Sequence, residues 1–88
     1  MDDKKIIFFS LKGCSKCEQL KPVFEKVAAE LNMPYEAYVL PEAPREIKKL
    51  VYTYNIEVFP TILSINGDNV KKIDGLKTEN ALREFLRQ

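Results

Sequence analysis

"KGCSKCEQLKP", residues 12–22, holds both cysteines of an 88-residue chain, three positions apart and set among lysines. What flanks this stretch decides its place in a fold. Upstream, "KKIIFFSL" (4–11) is an apolar run rich in Ile and Phe, bounded by charge and followed by Gly13. It is too short for a helix and predicts a strand buried on both faces. Downstream, Cys17, Leu20, Phe24, Val27, Ala28 and Leu31 recur at steps of three and four. That spacing predicts one face of an amphipathic helix over Ser15–Leu31. Cys14 therefore falls at a strand-to-helix junction, with Cys17 one turn inside the helix.

Such a junction favours sulfur chemistry. The first turn of a helix carries unpaired N–H groups and the positive end of the dipole, and both stabilise a thiolate on Cys14. A separation of three puts the two side chains on one helix face, as a disulfide requires. A thiol of pKa about 8.5 is only about 3% ionised at pH 7, whereas one lowered to about 7 is half ionised. The dipole supplies roughly 0.3–1 kcal/mol, less than one pKa unit. Direct N–H bonds must supply the rest, with Lys12 and Lys16 as weaker, screened contributors. Two readings compete with a redox pair. The cysteines are inert, buried small hydrophobes, or they are half of a metal site. Zinc takes four ligands, and this chain offers two thiols and no histidine; only a site shared between two chains would complete the set.

The remaining segments complete an α/β pattern. "YEAYVL" (35–40) is a second strand, stopped by "PEAP". A second helix opens at Pro44, with Ile47, Leu50, Val51 and Tyr54 as its buried stripe and Asn55 as a left-handed cap. "TILSI" and "VKKI" flank the turn signal "NGDN" and predict an antiparallel hairpin. Thr78 caps a last helix whose inner face is Ala81, Leu82, Phe85 and Leu86. The order β-α-β-α-β-β-α predicts a four-stranded mixed sheet with helices on both faces.

Composition narrows the function. The length fits one domain, residues 1–88. A net charge of +1 gives no sign of nucleic acid or an anionic membrane as a partner. The longest apolar run, Ile6–Phe9, is far too short to span a membrane, and "MDDKK" lacks the apolar stretch of a secretory signal. A cytoplasmic monomer is the expectation. In that reducing compartment a lone cysteine pair suits redox or metal chemistry better than a permanent bridge.

Beyond the cysteines, several landmarks fall in register. Pro22 stands eight residues after Cys14, "YNIEVFPTILSINGDNV" (54–70) follows the second helix, Gly75 comes after the hairpin, and "LREFL" (82–86) is near the end. Together with "GCSKC", these resemble the thioredoxin-like superfamily from about Lys4 to the C-terminus. The resemblance implies a minimal thioredoxin fold and a thiol–disulfide oxidoreductase with Cys14 as nucleophile and Cys17 as resolving thiol. It implies no cofactor beyond the redox-active Cys14–Cys17 disulfide, and no metal. It also implies a cis peptide bond before Pro60, which would set the Phe59 backbone beside Cys14. A client disulfide would then lie over Gly13, Phe59, Pro60 and Gly75, with Lys12, Ser15 and Lys16 as modulators of the pair.

Departures from the family pattern matter too. Gly13, Ser15-Lys16 and Phe8 stand where thioredoxins carry a tryptophan, a Gly-Pro dipeptide and a buried aspartate. Phe8 thereby removes the obvious base for the Cys17 thiol. The sequence shows no counterpart of the N-terminal strand and helix of thioredoxins, and that trimmed build, with Gly13, is similar to glutaredoxins, whereas "VFPT" and "DGLKTEN" lack their glutathione-binding patterns. The expected partners are disulfide-containing client proteins, with a thioredoxin reductase or glutathione as electron donor. The alternatives are a glutathione-dependent, glutaredoxin-type enzyme and a non-catalytic binding module on the same scaffold.

Overall fold

The computed structural model describes residues 4–88. Met1 to Asp3, which open the stretch read above as lacking a secretory signal, lie outside the described residues. The elements run β1 (Lys4–Leu11), α1 (Ser15–Glu30), β2 (Glu36–Leu40), α2 (Arg45–Thr53), β3 (Thr61–Asn66), β4 (Asn69–Asp74) and α3 (Glu79–Arg87). The strands lie in the order β2-β1-β3-β4, with β1 parallel to β2 and antiparallel to β3. The β3–β4 hairpin turns at Gly67-Asp68, between the paired Asn66 and Asn69. This is the expected order and mixed sheet. No helix among the described residues is long and apolar enough to cross a membrane.

An interior position for β1 explains its unbroken apolar run, in which Ile6 to Phe9 are all buried. Alternation along the strand then divides them between two cores. Ile6 and Phe8 join Leu20, Phe24 and Val27 of α1 and Leu82, Phe85 and Leu86 of α3. Ile7 and Phe9 join Leu40, Ile47, Ile56 and Leu63 on the α2 side. Phe24 is the pivot of the first core: its ring centroid lies 4.9 Å from that of Phe8 and 4.8 Å from that of Tyr35. α1 runs unbroken through Pro22.

Two helix ends repeat one motif. Past α1, Asn32 takes φ 52°, its N–H bonds to the Ala29 carbonyl, and the Met33 N–H reaches Ala28 at 2.8 Å. Past α2, Asn55 takes φ 51°, and the Asn55 and Ile56 N–H groups reach Tyr52 and Val51. Both are Schellman caps, with asparagine in the left-handed role that glycine more often fills. Lys72 adds two bonds to the end of α2, at the Tyr54 and Asn55 carbonyls.

Two details of α2 differ from the sequence reading. Pro44 is the cap residue and not the first helical one, because its ψ of 158° is extended. Of the expected stripe only Ile47 is fully buried. Leu50, Val51 and Tyr54 pack against the core but stay half-buried, since one nine-residue helix cannot cover the whole sheet face.

Thr78 caps α3 through a bond from the Ala81 N–H at 3.1 Å. α3 is tied to α1 by Arg83, which donates to Glu30 at 2.6 and 3.1 Å and to Glu79 at 3.2 Å; Lys26 also meets Glu79 at 3.1 Å. Hydrogen bonds from Arg83 and Lys26 hold the Glu30 and Glu79 carboxyls below their ordinary value of 4.5. A carboxyl depressed in the folded state stabilises the fold above its unfolded pKa and loses that contribution as pH falls through the folded one. The stability gap between wild type and Arg83→Gln is therefore expected to be constant near neutrality and to close below pH 4.5. Urea midpoints measured across pH check this. A gap that persists unchanged in strong acid would detach the arginine from both carboxylates.

Candidate active site

Cys14 ends the loop after β1 and caps α1. Its backbone is extended (φ −91°, ψ 109°), its N–H bonds to the Leu11 carbonyl, and its carbonyl receives the Glu18 N–H at 3.2 Å. A chain entering a helix in this way aims the capping side chain back at the free amides of the first turn. Cys14 Sγ accepts the Cys17 N–H at 3.1 Å. This is the direct amide bond that the sequence called for beside the dipole.

The two cysteines are joined as a disulfide, with Cα atoms 5.3 Å apart. Their surroundings differ. Cys14 is half-buried and opens to solvent, whereas Cys17 is 4% exposed and sits in the apolar stripe of α1. One sulfur can meet a large partner and the other cannot. Among the described residues no cluster of three or more His, Cys, Asp or Glu side chains converges to hold a metal ion.

Opposite Cys14 stands the segment before β3. The Phe59–Pro60 bond is cis, and the Phe59 carbonyl oxygen lies 3.9 Å from Cys14 Sγ. Pro60 is buried and Phe59 half-buried. The Gly75 N–H donates to the Pro60 carbonyl at 2.9 Å, so Gly75 is drawn to the same edge. Gly13 and Gly75 both take φ +78°, and beyond their immediate chain neighbours no atom lies within 4 Å of where a Cβ would stand. The left-handed backbone demands glycine there, and the missing side chains leave main chain uncovered. The structure thus gathers Gly13, Cys14, Phe59, Pro60 and Gly75 at one place.

The remaining expected residues lie at the rim. Ser15 and Lys16 are exposed on the first turn of α1, and Lys12 is exposed with its ammonium 3.9 Å from Glu42. Lys12 in turn donates its backbone N–H to the Leu40 carbonyl, tying the site loop to the end of β2. Two features escaped the sequence reading. Leu40–Pro41 is a second cis bond. An open groove of about 230 Å³ runs beside the disulfide, with Ser10, Cys17, Glu18, Lys21 and Val39 in its walls. Glu18 next to Cys17 and Lys21 one turn further on were the available signals, but nothing in the sequence sets either apart from an ordinary charged helix residue.

A family model described as Thioredoxin matches residues 1–88. Among curated relatives, the mitochondrial thioredoxin of Mus musculus is 31% identical over 85 residues, covering 94% of this chain and 49% of the relative. An uncharacterized protein, 196R, of Invertebrate iridescent virus 6 is 33% identical over 86 residues, with the same coverage of each. The chain spans about half the length of the curated relatives it matches. Among solved structures, a mutant thioredoxin from Halobacterium salinarum superposes with a TM-score of 0.79 at 22% identity, covering 98% of this chain and 74% of that one. A thioredoxin from Trypanosoma brucei brucei gives 0.77 at 17% identity, covering 96% and 72%. At such identities the structural likeness is one of fold. The sequence match over the whole length, together with the paired sulfurs at the tip of α1, places this chain in the thioredoxin family.

Proposed function

We propose that this chain is a thiol–disulfide oxidoreductase that reduces disulfides in client proteins. The observation that carries the reading is the bond from the Cys17 N–H to Cys14 Sγ at 3.1 Å on a sulfur open to solvent. A main-chain N–H aimed at sulfur favours the anion, which is the attacking species. Cys14 attacks one client sulfur, the client S–S bond breaks, and a mixed disulfide forms on Cys14. Cys17 then attacks Cys14 Sγ, releases the client as a thiol and closes the Cys14–Cys17 bridge. The uncovered main chain at Gly13, Phe59 and Gly75 suits an extended client segment. Lys12, Ser15 and Lys16 border it and would tune the pair electrostatically.

We assign the return of electrons to a reductase of the thioredoxin type and the working compartment to the cytosol, where a reversible pair is kept in use. The two steps separate in one experiment. Cys17→Ser incubated with an oxidised client is expected to hold that client as a mixed disulfide on Cys14, visible as a mass increase that dithiothreitol removes. If no adduct accumulates, Cys14 is not the first nucleophile.

A further inference from the structure

Closing the bridge requires the Cys17 thiol to lose a proton, and Cys17 is almost fully buried. Burial opposes its ionisation, so the proton needs an acceptor within reach. The side of β1 that faces α1 offers none below the disulfide. Phe8 is 1% exposed, with its ring tilted against that of Phe24. Ser10, two residues on, already donates its hydroxyl proton to the Tyr38 carbonyl at 3.2 Å. The way out is the open groove into which Cys17 faces.

Three charged side chains wall that groove: Lys12 from the loop after β1, and Glu18 and Lys21 from α1. Lys12 faces Glu42, beyond β2, at 3.9 Å. Ammonium groups at neutral pH have no lone pair to accept a proton. Glu18 is the one carboxylate in the wall. It is anchored next to Cys17 in the chain, and its N–H is held by the Cys14 carbonyl at 3.2 Å. The groove is polar at Ser10, Glu18 and Lys21 and wide enough for water to link sulfur to carboxylate.

We propose that Glu18 accepts the proton of Cys17, through water in this groove, as the bridge closes. The inference rests on the oxidoreductase reading above. In the step, the Cys17 S–H proton passes to the Glu18 carboxylate and the Cys17–Cys14 S–S bond forms. The Cys14–client S–S bond breaks, and the client sulfur leaves with the electron pair as a thiolate. The two cysteines are oxidised and the client is reduced, so no further reactant is needed. Glu18 acts on the sulfur through water, as a positioning and proton-accepting residue. Lys12 and Lys21 share the wall with it as cations and take no proton.

Stopped-flow reaction of the reduced protein with the aryl disulfide dithiobis(nitrobenzoate) resolves the step. A first thionitrobenzoate is released by Cys14, at a rate proportional to reagent. A second is released by Cys17, at a rate independent of reagent. Glu18→Gln is expected to slow the second phase about tenfold while the first stays within about twofold. The gap between the two proteins should narrow as pH rises, because hydroxide in solution then takes the Cys17 proton without help from the carboxylate, and Glu18→Asp, which keeps a carboxylate, should recover most of the rate. A second phase within about twofold of wild type in Glu18→Gln, or a gap that stays the same as pH rises, overturns the proposal. So does a slowing shared equally by both phases. A wild type that releases no thionitrobenzoate in the first phase would instead refute the oxidoreductase reading.

Discussion

Cys14→Ser is expected to lower reduction of a protein disulfide such as insulin by roughly 10³-fold or more, to the background set by the reductant in the assay. A serine hydroxyl is not ionised near neutrality and forms no bond to sulfur that the pair could later resolve. Cys17 cannot take over, because it is 4% exposed and a folded client cannot reach it. The fold should be unaffected: Cys14 is a half-buried cap, and serine caps a helix at least as well. Insulin turbidity followed beside the far-ultraviolet circular dichroism separates lost chemistry from lost structure. A folded Cys14→Ser protein with more than about a hundredth of the wild-type rate would put the nucleophile elsewhere.

Phe24→Ala should have the largest effect on stability. Phe24 is completely buried, contacts the rings of Phe8 and Tyr35, and lies in the core that joins β1 to both α1 and α3. Removing a buried ring costs about 3–5 kcal/mol, through lost transfer energy and the cavity left behind. Domains hold only about 5–15 kcal/mol in total, so most or all of the margin would go. The melting temperature should fall by about 15 °C or more, or the transition should vanish. Phe24→Leu, which keeps most of the volume, should lose less than half as much. A loss under about 1 kcal/mol for the alanine variant would mean that this ring does not organise the core.

The strands and helices were legible because their signals are local and agree with one another. β1 shows an unbroken apolar run as an interior strand must, and α1 shows its stripe. Thr78 and the Asn66–Asn69 turn carry their own chemistry. The position of Cys14 at a helix tip followed from the same two patterns. The features that escaped depend on distant segments meeting. No pattern within residues 36–44 distinguishes a cis from a trans bond at Leu40–Pro41. The Cys17 groove exists only because the end of β2, held by the bond from Lys12 to Leu40, lies alongside the loop after β1. The cis bond at Pro60 came from family resemblance and not from composition or spacing. Pro44 reads the same from sequence whether it caps α2 or opens it, since its φ suits both.

Gly13 and Gly75, each in a left-handed conformation with vacant space where a Cβ would stand, border the reactive sulfur with bare peptide. Peptide groups are common to every polypeptide, so if clients dock here as proposed, the centre of that surface can hardly tell one from another. Discrimination would then be left to the chain neighbours of these residues, where Val58 and Leu76 are 50% and 47% exposed and Lys16 and Lys77 add positive charge. A change of client repertoire would then come from exchanging those peripheral side chains, with the sulfur chemistry left as it is.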